Sequence, residues 1–268
     1  MIYITYDTID STNNEAKRLI NDGKITEPTC ISSKVQTAGR GRQGKFFFSP
    51  DTGLYMTVVF PVNCDIASQV TMTTRTACAV AYAIENNGIE CGIKWVNDIY
   101  VRGKKCCGIL CEAVNDYELG KMKYIVIGIG INIYTKDWPQ DIKDIAGSLF
   151  EGEPLETDNT DELSNAIIDR FEIFRKKLMK EISEELSKWL FVRSSEEFLE
   201  YYKKHSTVLG KKIVFIENGI SKEGIARDIN ETGGLVVEVK NTDGSDIVTY
   251  QTLSSGEISL KLSYSYTH

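Results

Sequence analysis

The chain has 268 residues, 42% hydrophobic and 26% charged, with 31 basic against 38 acidic side chains and a net charge of −7. That balance disfavours a general nucleic-acid binder, and no apolar run approaches the roughly 20 residues of a membrane span. The length suits one large and one small domain with a full hydrophobic core.

In chain order, residues 2–6 alternate as a short strand, and Ser11 reads as the N-cap of a helix that turns Ala16, Leu19 and Ile20 inward and ends at Gly23. A second strand over 29–35 leads into the run GRGRQGK at 39–45, and a third over 54–60 is closed by Pro61. Apolar or small residues at 70, 73, 74, 77, 80, 81 and 84 form the stripe of a helix over 66–86, capped by Gly88. Residues 92–101 and 106–114 read as a hairpin about a turn at 102–104, and 124–131 as a further strand. The spacing predicts helices over 160–180 and 194–204, with Ile167, Ile168, Phe171, Phe174 and Leu178 as a core face. Beyond His205 short strands at 211–217, 222–229, 235–239, 246–250 and 257–260, parted by Asn-Gly, Gly-Gly and Asp-Gly turns, read as a small all-β barrel. The expected boundary lies near 208, giving domains 1–208 and 209–268. The opening MIYITYDTID lacks the features of a signal peptide, and seven cysteines without a CxxC pair read as reduced thiols, so a cytoplasmic location is expected.

The segment 39–45 fits three glycine-rich phosphate-loop patterns but the context of none. Phe46 stands where a P-loop needs a hydroxyl, and Phe46 to Pro50 read as extended chain instead of the helix that such loops open. A mobile backbone carrying Arg40, Arg42 and Lys45 is suited to closing over an anion, or is simply a solvated basic loop. With only His205 and His268 as imidazoles, any chemistry must run without histidine. Four other clusters fall at strand ends or turns. Ser11, Thr12 and Asn13 are helix caps or ligand contacts, and Gln36 with Thr37 precedes the basic loop. Lys94, next to Trp95, Val96, Asn97 and Asp98, needs an anionic partner, either a ligand or Asp98. Lys105, Gly108, Ile109, Leu110 and Glu112, then Gly128, Ile129, Gly130, Ile131 and Asn132, place glycines within strands, for a close approach or a bulge.

In this order, Ser11 to Asn13, Gln36 to Arg42, Lys94 to Asp98, Gly108 to Glu112, Gly128 to Asn132 and Gly256 to Leu260 resemble the biotin protein ligase family over nearly the whole chain. The resemblance implies an α+β fold, a mixed sheet with packed helices as in biotin and lipoate ligases, followed by a small SH3-like barrel. It implies formation of biotinyl-5′-AMP from biotin and Mg-ATP, with Mg2+ carried mainly by the nucleotide, and transfer of biotin to a lysine of a biotin carboxyl carrier domain. Lys94, Arg40 and Arg42 are the implied catalytic residues. Those implied to hold biotin are Ser11, Thr12, Asn13, Gln36, Gly39, Gly41, Gly108, Ile109 and Gly128, together with the catalytic cations. Lys45, Phe47, Asn97, Asn132 and Arg227 join Arg40, Arg42 and Lys94 toward the nucleotide. Val96, Lys45 and Phe47 depart from the family's usual proline, arginine and tryptophan, which implies altered affinity with the same reaction. Neither DNA nor membrane is an expected partner, and a homodimer is compatible with the sequence. Two other readings are a ligase for lipoate or another acyl acid on the same scaffold, and a single-stranded nucleic-acid-binding module using Arg40, Arg42 and Phe46 to Phe48.

Overall fold

The computed structural model describes residues 1–65, 69–116, 118–151, 161–217, 219–240, 248–254, 256 and 258–260. Alternating β-branched and polar residues form β1 (Ile2–Ile9), which runs through helix α1 (Thr12–Asn21) into a parallel neighbour, β2 (Thr29–Gln36). Gly23, at φ 68°, turns the chain out of α1. Antiparallel β3 (Gly53–Asp65) follows, and helix α2 (Gln69–Glu85) crosses to β4 (Gly92–Lys94), β5 (Asp98–Val101), β6 (Lys104–Asp116) and β7 (Lys121–Asn132). The strands make one seven-stranded mixed sheet in the order β1-β2-β3-β7-β6-β5-β4.

Side-chain alternation gives this sheet two faces. Ile31, Val59 and Val126 point to α1 and pack with Ala16, Leu19 and Ile20. Cys30, Met56, Val58, Ile109, Ile127 and Ile129 point the other way, into a core shared with α2 and with α3 (Asp161–Phe191). Helix α4 (Ser195–His205) begins with a capping box in which Ser194 and Glu197 satisfy each other's backbone N–H groups. Strands β8 (Lys212–Glu217), β9 (Ile220–Ile229), β10 (Leu235–Lys240), β11 (Val248–Leu253) and β12 (Ile258–Leu260) form the small antiparallel sheet in the order β11-β10-β9-β8-β12. Its apolar residues, Phe215, Ala226 and Val237 among them, join the same continuous core as the large sheet.

Three readings of the sequence need correction. Pro61 does not close its strand: it pairs with Tyr124 inside β3, and the register shifts just beyond it, so a bulge absorbs the missing N–H donor. Residues 92–101 are two strands, with Lys94 paired to Asp98 across a tight turn whose Trp95–Val96 peptide is cis. Helix α3 extends to Phe191, beyond the expected end at 180. Of its expected core face Leu178 is fully buried, and Phe171 and Phe174 pack partly buried. The side chains of Ile167 and Ile168 lie outside the described residues, as do the Asp-Gly turn at 243–244 and Asn218.

Candidate active site

Where α1 begins, glycines open the sheet face beneath it. Leu110 of β6 pairs with Gly128 of β7, and Gly108 with Gly130, so three glycines leave a trough. Two side chains lie in it. The amide of Asn13 rests over Gly128, where an added Cβ would overlap Oδ1 and come within 2.8 Å of Cγ. The ring of Phe47 rests over Gly130, whose added Cβ would lie 2.8 Å from Cζ, and over Gly108, at 3.1 Å from Cε2. Phe47 meets Tyr55 edge-on at 6.3 Å.

The trough opens into a cavity of about 420 Å3. One end is neutral and polar. Ser11, Thr12, Asn13 and Gln36 are all buried there. Thr12 donates its backbone N–H to Gln36 Oε1 at 2.9 Å, and its hydroxyl donates to the same oxygen at 3.1 Å. A backbone N–H can only donate, so the Gln36 amide is fixed in sense. Its Nε2 then donates to Ser49 Oγ at 3.0 Å, which donates to the carbonyl of Phe47 at 2.8 Å. Thr57, fully buried, has Asn13 Oδ1 at 2.7 Å and Thr12 Oγ1 at 2.8 Å as acceptors for its one hydrogen. Buried polar networks of this kind hold their members rigidly when every group is satisfied. Ser11 occupies the N-cap position of α1, yet its side chain makes no capping bond, and it lines the cavity instead.

The rest of the wall is cationic. Arg40, Arg42, Lys45, Lys94 and Lys105 line the cavity, against Asp98 as the single carboxylate among the described lining residues. The loop that brings the first three is shaped by an antiparallel bridge between Arg40 and Phe46 and by left-handed backbone at Gln43 (φ 54°) and Gly44 (φ 76°). Gly39 does not line the cavity: its missing side chain lets the Phe47 carbonyl and the Ser49 hydroxyl close against it. Gly41 does line it. Arg42 donates to Asn97 Oδ1 at 3.1 Å, and Asn97 Nδ2 donates to the carbonyl of Ile109 at 2.9 Å, which ties the loop to β6.

Lys94 does not pair with Asp98, which is taken by Lys105 at 2.7 Å. Its ammonium lies over the ring of Tyr100, 5.5 Å from the centroid and 3.4 Å from the hydroxyl. Burial, with a smaller push from Asp98, raises the Tyr100 phenol to about 12, so it stays a neutral partner for Lys94. The turn after Lys94 is pinned from the small sheet, where the Trp95 indole donates to the carbonyl of Gly233 at 2.9 Å. Asn132 Nδ2 donates to the carbonyl of Gly147 at 3.1 Å, while its buried Oδ1 has no hydrogen-bond partner among the described residues.

Arg227 falls elsewhere. It is exposed on β9, its Nε 2.7 Å from Glu238 Oε2, and it is not among the lining residues. The small sheet reaches the cavity through Gly256, Ile258 and Ser259 instead. Sequence reasoning also missed Trp138, Ile142, Ile145 and Ala146, which line the cavity from the segment after β7. The Trp138 ring lies 6.2 Å from Phe48 of the basic loop. Two apolar isoleucines and a tryptophan in a stretch without strand or helix were the available signal.

A glycine-bared mixed sheet, a polar slot at a helix start, a cationic loop above and a small antiparallel module beside it define an α+β protein of the biotin/lipoate ligase class. Residues 5–132 match the biotin/lipoate A/B protein ligase family and residues 208–261 the biotin protein ligase C terminal domain, and the chain belongs to the biotin protein ligase family. Among solved structures it is similar to biotin protein ligase from Aquifex aeolicus in complex with biotin and ATP. That likeness has a TM-score of 0.69 and 28% identity, over 97% of this chain and 98% of that one. Over 152 residues it is 36% identical to the bifunctional ligase/repressor BirA of Bacillus subtilis, which is 55% of this chain and 46% of that protein. The match therefore spans about half the length of that relative. To the biotin–[acetyl-CoA-carboxylase] ligase of Mycobacterium tuberculosis the identity is 26% over 236 residues, 85% of this chain and 80% of that protein.

Proposed function

We propose that this chain activates biotin with Mg-ATP as biotinyl-5′-AMP, expelling pyrophosphate as the α–β phosphoanhydride bond breaks, and transfers the biotinyl group to a lysine of a biotin carboxyl carrier domain with release of AMP. The observation that carries the reading is the charge of the cavity wall, where among the described lining residues five cationic side chains oppose one carboxylate beside a fixed array of neutral donors and acceptors. Biotin offers a ureido ring for such an array and a carboxylate for the cations. In the first step that carboxylate must meet the α-phosphate of ATP. Two unit charges at 4 Å repel by about 4 kcal/mol where the effective dielectric constant is about 20. Cations held in place beforehand by Tyr100, Asn97 and the sheet cancel that repulsion without reorganising at the moment of reaction.

The carboxylate is ionised at neutral pH, so this step needs no general base. Magnesium arrives as part of the nucleotide substrate, and among the described residues no group of three or more His, Cys, Asp or Glu side chains is placed to hold a metal of its own. Arg40 and Arg42 belong to a loop that can close over the mixed anhydride and exclude water. Lys45, Phe47, Asn97 and Asn132 border the same space and form the nucleotide side of the site. Support for the acid being biotin comes from the family assignment and from the biotin and ATP named with the Aquifex aeolicus structure. Calorimetric titration with biotin and with lipoate tests it: biotin binds and lipoate does not, whereas the reverse order would assign the site to lipoate.

A further inference from the structure

Glu112 takes no part in the proposed reaction, yet three donors from α1 and the basic loop converge on its carboxylate. Asn13 Nδ2 of α1 donates to Oε2 at 3.1 Å, Lys17 Nζ lies 2.8 Å from Oε1, and Arg40 Nη2 of the basic loop lies 3.7 Å from the same oxygen. Arg40 also donates to Asn14 Oδ1 at 3.1 Å, so its guanidinium is held between α1 and the sheet. We infer that Glu112 is a positioning residue: from the rigid strand β6 it sets how Asn13 and Arg40 face the bound acid. The inference rests on the ligase reading and deepens it.

An amide side chain can be turned end for end at little cost, and only its partners decide the sense. A carboxylate only accepts, so Glu112 compels Asn13 to present Nδ2 to it and Oδ1 to Thr57. The backbone N–H of Thr12 fixes Gln36 from the opposite end. Between these two anchors the amides of Asn13 and Gln36 each present one sense to a ureido ring. The same carboxylate gives the loop a charged seat on the sheet, so Arg40 need not be ordered anew when ligand arrives.

The test measures biotin affinity by calorimetry and adenylate formation by steady-state kinetics for Glu112→Gln, Arg40→Met, the double variant and Lys17→Met. Glu112→Gln weakens biotin by about tenfold, the effect of losing one charge-assisted contact, and lowers kcat as well, because Arg40 is then less well set against the reacting carboxylate. In the Arg40→Met background most of that loss disappears, because the two residues act together. Lys17→Met removes the other cation on Glu112 and reports the purely structural share. Unchanged affinity in Glu112→Gln, independent multiplying losses in the double variant, or an equal loss in Lys17→Met would overturn the inference. Failure of the unsubstituted protein to bind biotin would instead remove the ligase reading, and this inference with it.

Discussion

Replacing Gly128 by alanine tests whether the trough is kept open for Asn13. The new methyl would overlap Asn13 Oδ1 and come within 2.8 Å of Cγ, so the amide must leave. It gives up its contact with the buried Thr57 hydroxyl at 2.7 Å and its bond to Glu112 at 3.1 Å. A neutral hydrogen bond contributes about 1 kcal/mol net and one to a charged group about 1.5–3 kcal/mol, so the change costs about 3 kcal/mol. Thr57 retains Thr12 Oγ1 at 2.8 Å as an acceptor, which keeps the loss from growing further. For a chain of this size that is a fall in melting temperature of roughly 5–10 °C. The displaced amide also narrows the polar slot, and biotin affinity drops by at least about tenfold, or 1.4 kcal/mol. Differential scanning calorimetry of the ligand-free protein and biotin titration of the same sample read both quantities. A variant that melts and binds like the parent would refute the placement of Asn13 and the reason given for the glycine.

Arg42→Gly removes the tie to Asn97. Biotinyl-5′-AMP then escapes before transfer, and bystander proteins become biotinylated on random lysines, as an avidin blot reads; labelling confined to the carrier would contradict the loop's closing role. At pH 8 iodoacetamide modifies one of the seven thiols quickly, Cys64, because it alone is exposed. Burial pushes Cys30 and Cys106 to about 12 and Cys111 to about 11, so mass spectrometry that finds a second thiol labelled as fast would be inconsistent with the packing. Burial raises the Glu112 carboxyl, but its bonds from Lys17 and Asn13 outweigh that and leave it below its ordinary 4.5. With the folded-state value depressed, its contribution to stability is complete above about pH 4.5 and fades as the pH falls through the lowered value. Glu112→Gln therefore flattens the acid limb of the melting temperature against pH, and an unaltered limb would rule this out.

Much of the fold could be read from local signals, because the alternation at residues 2–6, the strands expected over 29–35 and 124–131 and the α2 stripe fall where the final packing has them. The glycines at 108, 128 and 130 were legible as sites of close approach, though not what approaches them: Phe47 and Asn13 come from distant parts of the chain. The turn at 95–97 was hidden because Lys94 to Asp98 carry no glycine or proline to mark it, and its hold comes from Trp95 bonding to Gly233 across 138 positions. Pro61 misled for the converse reason, since a strong local stop signal is overridden where a bulge accommodates it. The setting of Arg227 depends on strand pairing: the register of β9 against β10 shifts beside it, leaving Arg227 and Asp228 both exposed and Arg227 against Glu238, and the chain gives no hint of that without the partner strand.

The central claim is that cations set in place before the substrates meet allow a carboxylate to attack a phosphate. Incubating the purified protein with biotin and Mg-ATP labelled in the α-phosphate, beside the Lys94→Ala variant, measures this most directly. The account predicts a biotin-dependent AMP-linked product from the parent, formed roughly 100–1,000-fold more slowly by the variant, the range typical of losing one transition-state charge contact. Equal rates from the two proteins, or no such product from the parent, would contradict it.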